Sequence, residues 1–557
     1  MAISWLQPLH MQPWVSWHSE AIVFFGVFAA VGLVLLRSLN TPNAVLLPRP
    51  AWLALALLLL TLGQWLTGRI SYAGDVWVVL FYAALALACL GLGYAAGGAH
   101  TGAEAPSTSI VNTPAALLAW VMLLIGIAST AVGLVQTFDV WAQSEWLLRP
   151  TQNWRPGGQV GQANHFAIGL LLALISSIYL LAAKKLGIVT TLMVVTYLGL
   201  GVAIGHSRTS FFCIAVLGAW WTYKQPCISA PYSRWWGLAT ALMLMGMFLL
   251  WPMVFDEFYM ASKADSSRLT ISSLRFVVWP QLIETVWARP WLGWGVLQVA
   301  PAHNSVLHNY PVSEAFGFSH NILLDAAVWF GIPTALVFFI TTCTWLWRRA
   351  SAVDSLQSWY LFGLLLPLGI GSLMEFPYVY AYCLAPVLFA VGMLERELRC
   401  KPMLRLPVRV AVVPYMLVSA LMAWSAVEYI RVEEDTRVAR FEALRVGKTP
   451  EGYSPPNIVL LTQLSSLAAS TRIVPVPGMD TAQMDLLKNA ALRYPWTATG
   501  FRYASAVALN GNQAEAWRQM QVMRATQGEK MHLQLMDVLM EKLAEHKLTW
   551  QPAVPQR

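Results

Sequence analysis

The chain has 557 residues, 57% of them hydrophobic and only 11% charged, with a formal net charge of +8. Apolar stretches recur at lengths that cross the roughly 30 Å hydrocarbon core of a bilayer, which excludes a water-soluble globular chain. The positive excess sits largely in short loops between those stretches, so it reads as membrane topology rather than as a nucleic-acid surface.

Taken in order, the N-terminus lacks a basic n-region and a cleavage site, so the first apolar run, residues 21–36, reads as a retained span. Hydropathy predicts about twelve spans in all, centred near residues 28, 59, 85, 126, 174, 196, 216, 244, 333, 365, 387 and 419. Lys184 and Lys185, Lys224 and Arg234, Arg348 and Arg349, and Arg396, Arg399, Lys401, Arg405 and Arg409 fall in alternate loops. The positive-inside rule assigns these loops to the cytoplasm. The loops 139–164, 205–208, 255–319 and 373–378 then face outward, and an even span number puts both termini on that outer side. The expected fold is therefore all-α and polytopic: a membrane domain over residues 1–430, a large outward loop at 255–319, and a soluble helical domain over 431–557. Within the last, "NAALRYPWTATGFRYASAVALNGNQAEAW" resembles a helix-turn-helix repeat of the tetratricopeptide kind. One or two such units are too few to stand alone, which predicts packing against the membrane domain or a protein partner.

An ionisable side chain at a span edge is costly enough to demand an account. Seven gather on the predicted outer side: His165, Arg208, Arg275, His303, His308, His320 and Glu375. In "GFSHNILLD", His320 precedes an apolar run, where an imidazole titrating near pH 6.5 could serve as a general base. Its other reading is an interfacial cap built with Ser319 and Asn321. At about 100° per residue Asp325 lies some 140° around from His320, which makes it a poor orienter of that ring. Arg208 and Arg275 suit a phosphorylated ligand, since a guanidinium grips phosphate oxygens bidentately; each also reads as an anchor reaching for headgroups, as do Lys263 and Arg268.

"GQANHFA" sets Gln162, Asn164 and His165 behind Gly157, Gly158 and Gly161, an amide-rich loop able to bond sugar hydroxyls or simply to hold its own shape. "ARPWLGWGV" is a Pro/Gly turn bounded by Trp291 and Trp294, either interfacial aromatics or a sugar platform. Glu375, ahead of Pro377, reads as an acceptor for an arginine or as a turn residue. No metal site is expected: His303 and His308 are five apart, and the six cysteines show no paired spacing. A nucleotide loop of the GxxxxGK[ST] type is also missing from the sequence.

In order, "GQANHFA", "GHSRTS", "SLRFVVWPQLIETVWARPWLGWG", "GFSHNILLD" and "SLMEFPYVY" resemble the bacterial O-antigen ligase and polymerase superfamily, and most closely its PglL-type protein O-oligosaccharyltransferases. The likeness covers residues 1–400, with Phe376 standing where tyrosine is more usual. It implies a GT-C-like fold in the bacterial inner membrane with a periplasmic site. The implied reaction moves a preassembled oligosaccharide en bloc from undecaprenyl diphosphate to a serine or threonine hydroxyl of an exported protein such as pilin. No metal, cofactor or nucleic acid is called for. On that resemblance His320 is the base, and Arg208 and Arg275 clamp the diphosphate. Gln162, Asn164, His165, Asn321, Glu375, Tyr378 and Tyr380 bind or position substrate.

Two alternatives accompany this reading. A sister ligase or polymerase would use the same donor with a sugar hydroxyl as acceptor. A lipid-linked glycan transporter belongs to a different class, but transporters carry internal repeats and midplane charges, whereas here the charges cluster toward one face.

Overall fold

The computed structural model describes residues 1–39, 44–98, 113–140, 144–149, 155–228, 230–259, 275–449 and 451–550. Lys263 and Arg268 lie outside them. The chain is helical almost throughout; the one β-pairing among the described residues is a short ribbon, Ala44–Leu47 against Leu404–Pro407. A backbone in hydrocarbon must satisfy its own donors and acceptors, and helices do so within one segment.

Eight helical segments among the described residues are long and apolar enough to cross a membrane: Trp17–Ser38, Ala73–Ala96, Pro114–Thr137, Ala163–Ala182, Ile188–Gly205, Trp235–Val254, Leu356–Met374 and Val408–Leu444. The protein is an all-α, multi-pass membrane protein. Three other expected centres, 59, 216 and 387, fall on the shorter helices Ala51–Leu66, Arg208–Lys224 and Ala381–Glu397. The centre at 333 falls where Gly331, at φ 82°, ends Ile322–Phe330 and the chain restarts as Ile332–Ala352. Leu356–Met374 is also interrupted, at Leu364, because Pro367 has no N–H to give the Gly363 carbonyl. The expected change of character near residue 431 falls inside one continuous helix, Val408–Leu444.

The chain forms two compact units. One holds Met1–Leu57, Phe81–Thr270 and Thr341–Leu421; the other holds Leu58–Leu80, Ile271–Ile340 and Met422–Arg557.

At the centre of the first unit is Ala163–Ala182, 94% of whose apolar window is buried. A helix apolar all round has this environment. Alternate loops of this unit gather at two ends. At one, Ala44–Leu47 pairs antiparallel with Leu404–Pro407, and Arg396 lies over the Tyr94 ring at 5.3 Å. There Lys224 Nζ donates to Val353 O at 3.3 Å, and Arg349 Nε pairs with Glu395 Oε1 at 2.5 Å. At the other end Gln136 Nε2 donates to Leu148 O and Gly158 O, and Trp5 Nε1 donates to Tyr382 O. Segments predicted to share a membrane side therefore meet within this unit. Two helices cross so closely that a Cβ on Gly93 would sit 2.1 Å from Phe389 O, and one on Gly392 would sit 2.3 Å from Leu90 O. Small residues permit that approach where lipid gives helices no hydrophobic drive to associate.

In the second unit Thr481–Arg493, Thr497–Leu509, Gln513–Gln527 and Glu529–Glu545 stack in sequence around Leu487, Tyr503, Ala508, Met520 and Leu539. Asp480 and Asn512 cap two of these helices through their side-chain oxygens. The stack does not stand alone. Arg493 grips the buried Asp75 with Nε and Nη2, Arg518 donates to Asn304 O at 3.1 Å, and Ser313 N donates to Ala525 O at 2.8 Å. His303, only 1% exposed, belongs to this packing: its Nε2 donates to Gln281 Oε1 at 2.9 Å while Gln281 Nε2 is held by Val312 O. Burial pushes its pKa down to about 4.

Two outcomes are expected. Gly93→Val should cost about 1–3 kcal/mol or more through forced separation of the two helices, whereas Gly26→Val, which meets nothing within 4 Å, should not; thermal unfolding of both variants in detergent checks this. The unfolded His303 takes a proton near pH 6.5 and the folded one only near 4, so stability should fall as pH drops through that window, by on the order of 3 kcal/mol. His303→Gln should flatten the decline, read as the unfolding midpoint against pH.

Candidate functional site

In the first unit the chain enters Ala163–Ala182 through Gln162, whose side chain accepts from His165 N at 3.3 Å and so caps the helix. One residue in, Asn164 Nδ2 donates to Glu375 Oε1 at 2.6 Å. Glu375 ends Leu365–Met374, and Pro377–Val379 turns the chain into Ala381–Glu397. "GQANHFA" and "SLMEFPYVY", two hundred residues apart in sequence, thus form one polar cluster. His165, 1% exposed, stands 3.0 Å from the Tyr382 hydroxyl through Nδ1; its ring is edge-on to Tyr380 at 4.5 Å and to Phe376 at 5.9 Å. Tyr378 lies half-buried on the same turn.

Arg208 opens Arg208–Lys224 and is exposed. A cation at a helix N-terminus opposes the helix dipole, so an anion bound there would be favoured by both. Arg155 lies against the same turn, donating to Gly205 O at 2.9 Å and to His206 O at 3.1 Å. Burial, then the charges of Arg155 and Arg208, hold the His206 imidazole below its ordinary pKa. A Cβ on Gly205 would touch Phe166 and approach Ala163 O, so this cationic turn abuts the amide-rich one.

Three residues that sequence reasoning passed over complete this end. Glu20, 2% exposed, accepts from Ala381 N at 2.7 Å and from the Tyr82 hydroxyl at 2.6 Å, and Tyr82 also reaches Val379 O at 2.7 Å. Arg155 is the third. An acid in the first turn of an apolar span is itself a signal, given the cost of a charge there.

His320, Asn321 and Arg275 belong to the second unit. Asn321 caps Ile322–Phe330, its Oδ1 accepting from Leu323 N and Leu324 N. Ser319, fully buried, donates its N–H to Asp325 Oδ1 at 2.7 Å and its hydroxyl to Asn321 O, and its carbonyl accepts from Trp279 Nε1 at 2.8 Å. This framework carries His320 half-buried, at φ 60°, with its ring 4.9 Å from Phe316. A left-handed non-glycine backbone persists only where its surroundings over-determine it. Arg275, half-buried, begins Arg275–Ala288 one turn before Trp279 and on the same helix face. His303 sits in the packing described above. His308 is pushed below its ordinary pKa by burial and then by Arg518, against the opposing charges of Glu515 and Glu284.

Residues 192–339 match the family model described as O-antigen ligase, and residues 359–538 the one described as virulence factor membrane-bound polymerase, C-terminal. A general O-oligosaccharyltransferase of Acinetobacter baylyi is 22% identical over 515 residues, covering 89% of this chain and 86% of the relative. A ComP-specific O-oligosaccharyltransferase of the same organism is 24% identical over 282 residues, 50% of this chain and 51% of that one. The motif order, the all-α membrane fold and these matches agree: the chain is similar to the O-antigen ligase and polymerase superfamily and, among the glycosyltransferases of that superfamily, to the protein O-oligosaccharyltransferases.

Proposed function

We propose that this protein transfers an oligosaccharide en bloc from undecaprenyl diphosphate to serine or threonine hydroxyls of exported proteins such as pilin, at the periplasmic side of the bacterial inner membrane. The observation that carries the reading is the turn at His320: an imidazole held in a strained backbone by Ser319 and Asp325, with the helix that Arg275 opens bonded to the same turn through Trp279.

The chemistry asks little of the protein. His320 takes the proton of the acceptor hydroxyl as its oxygen bonds to the anomeric carbon; the bond from that carbon to the diphosphate oxygen breaks, and the electron pair leaves with the diphosphate. Negative charge then grows on the leaving group, and an arginine fork neutralises it without a metal. Arg275 has that role, and Arg208, supported by the cationic turn it shares with Arg155, is assigned a phosphate contact of its own. Gln162, Asn164, His165, Glu375, Tyr378 and Tyr380 position substrate, Asn164 and Glu375 through their mutual hydrogen bond. Asn321 supports His320 by capping the following helix and supplies a polar group beside it.

His320→Asn, which tolerates the left-handed backbone, should insert normally yet lose about 10²–10⁴-fold in transfer rate in liposomes supplied with lipid-linked donor and acceptor protein. Near-normal transfer would refute the base assignment. Arg275→Ala and Arg208→Ala, assayed separately, should each weaken donor binding by about 10- to 100-fold, the worth of a charge-assisted contact. Unchanged donor affinity in either variant removes that arginine from its role. Intact-mass analysis of a co-expressed pilin, in parallel with lipid A core and a second carrier-linked glycan as acceptors, separates protein glycosylation from ligase or polymerase activity.

A further inference from the structure

The turn "ARPWLGWGV" takes no part in the chemistry above, yet it is among the most firmly built segments of the second unit. Trp294 N donates to Val328 O at 2.8 Å, Gly295 N to Trp329 O at 3.1 Å, and Ile332 N to Pro290 O at 2.7 Å. Gln64 ties both strands of this contact, giving Nε2 to Trp329 O and accepting from Val296 N through Oε1. Gly293 (φ 66°) and Gly331 (φ 82°) let the backbones meet, since a Cβ on either would lie 2.5 Å from a carbonyl carbon of the other segment. The turn walls a cavity of about 730 Å³ whose lining includes Arg69, Ser71, Arg289, Trp291, Trp294 and Gln298.

Two cations, Arg69 and Arg289, line this space. Arg69 spends one N–H, from Nη1, on Gly293 O at 2.6 Å, which fixes its guanidinium. Arg289 Cζ lies 3.9 Å from the centroid of the Trp294 ring, a cation–π contact that uses none of the guanidinium N–H groups as donors to an acid. Among the described residues no carboxylate pairs with either arginine. Asp75, next to the lining residue Gln298, is taken by Arg493. Burial, and then the charge of Arg69, lower the pKa of Arg289, as expected of a cation lacking a counter-ion.

The surroundings identify the kind of anion. Trp287, Trp291 and Leu292 are 69%, 74% and 61% exposed. Large aromatic and apolar side chains standing free beside cations mark the headgroup level of a bilayer. A free phosphate or an acidic sugar would not require an apolar rim, whereas a lipid phosphate brings a chain root that covers it.

We infer that this cavity binds the phosphate of a membrane lipid, with Arg69 and Arg289 on the phosphate oxygens and Trp291 against the base of the lipid chain. None of the groups assigned to glycan transfer lines it, and the inference stands apart from that reading. Anionic glycerophospholipid and polyprenyl phosphate share this chemistry.

Native mass spectrometry of the full-length, delipidated protein tests it by titration with phosphatidylglycerol, undecaprenyl phosphate and phosphate-free diacylglycerol. The wild type should retain one or both phosphate lipids and not diacylglycerol. Arg69→Gln and Arg289→Gln should each weaken retention about fivefold and the double variant about thirtyfold, at about 1 kcal/mol per arginine near a lipid headgroup. The lipid whose retention falls names the source. Equal retention by wild type and a folded double variant would overturn the site. Should the double variant fail to fold, displacement of the lipid from wild type by inorganic phosphate, but not by chloride of matched ionic strength, supports the site; equal displacement by both overturns it.

Discussion

Every polar atom of Ser319 is committed: its N–H to Asp325, its carbonyl to the Trp279 indole, and its hydroxyl to the backbone of Asn321. Buried polar groups are expensive unless bonded, so this serine has one arrangement open to it, and the residue after it inherits the consequence. His320 is driven into the left-handed region, with its ring half-exposed at the mouth of an apolar helix. The proposed general base needs its imidazole fixed before substrate arrives, and a strained backbone locked by neighbours contributes to that. The same bond from Trp279 fastens the helix that begins with Arg275. The proposed base and the proposed cation of this unit are thus both tied to one buried residue with no chemistry of its own.

The first unit solves a related problem with different means. Asn164 with Glu375, His165 with Tyr382, and Glu20 with Tyr82 and the Ala381 amide are buried polar pairs at one end of an apolar bundle. Such pairs fix the turn after Met374, because each has a partner more than sixty residues away and none can slide without leaving a buried group unbonded. Arg155 adds a different element. By donating to the last carbonyls of Ile188–Gly205 it satisfies a helix C-terminus and holds positive charge beside Arg208.

Much of this was readable from the chain. Helical spans follow from hydropathy, and every expected centre lies on a helix or, near 333, where one begins. Caps at Gln162, Asn321, Asp480 and Asn512 are local, set by residues within one turn. The motifs around His165 and Glu375 stood out because polar residues at an apolar boundary need an account. Glu20 and Arg155 did not stand out, for opposite reasons. Glu20 sits inside a span whose partners, Tyr82 and Ala381, are 62 and 361 residues away. Arg155 sits in a loop where an arginine is unremarkable until the helix end it caps is known. His303 was counted with the outward histidines although its neighbours make it a core residue, something hydropathy cannot distinguish from a loop position.

What the sequence determined by itself was therefore the class of protein, an all-α membrane protein of many spans. It placed helices at the apolar stretches, eight of which are long and apolar enough to cross a membrane among the described residues, and it singled out the polar residues at their edges. These depend on composition and on contacts within a few residues, which add up along the chain. Tertiary structure alone decided which polar groups meet: Asn164 with Glu375, Ser319 with Trp279, and Arg69 with Arg289 in the lining of one pocket where, among the described residues, no carboxylate pairs with either. The reason is that burial makes a polar group's energy depend on whichever partner is within about 3 Å, and that partner is chosen by packing rather than by distance along the chain.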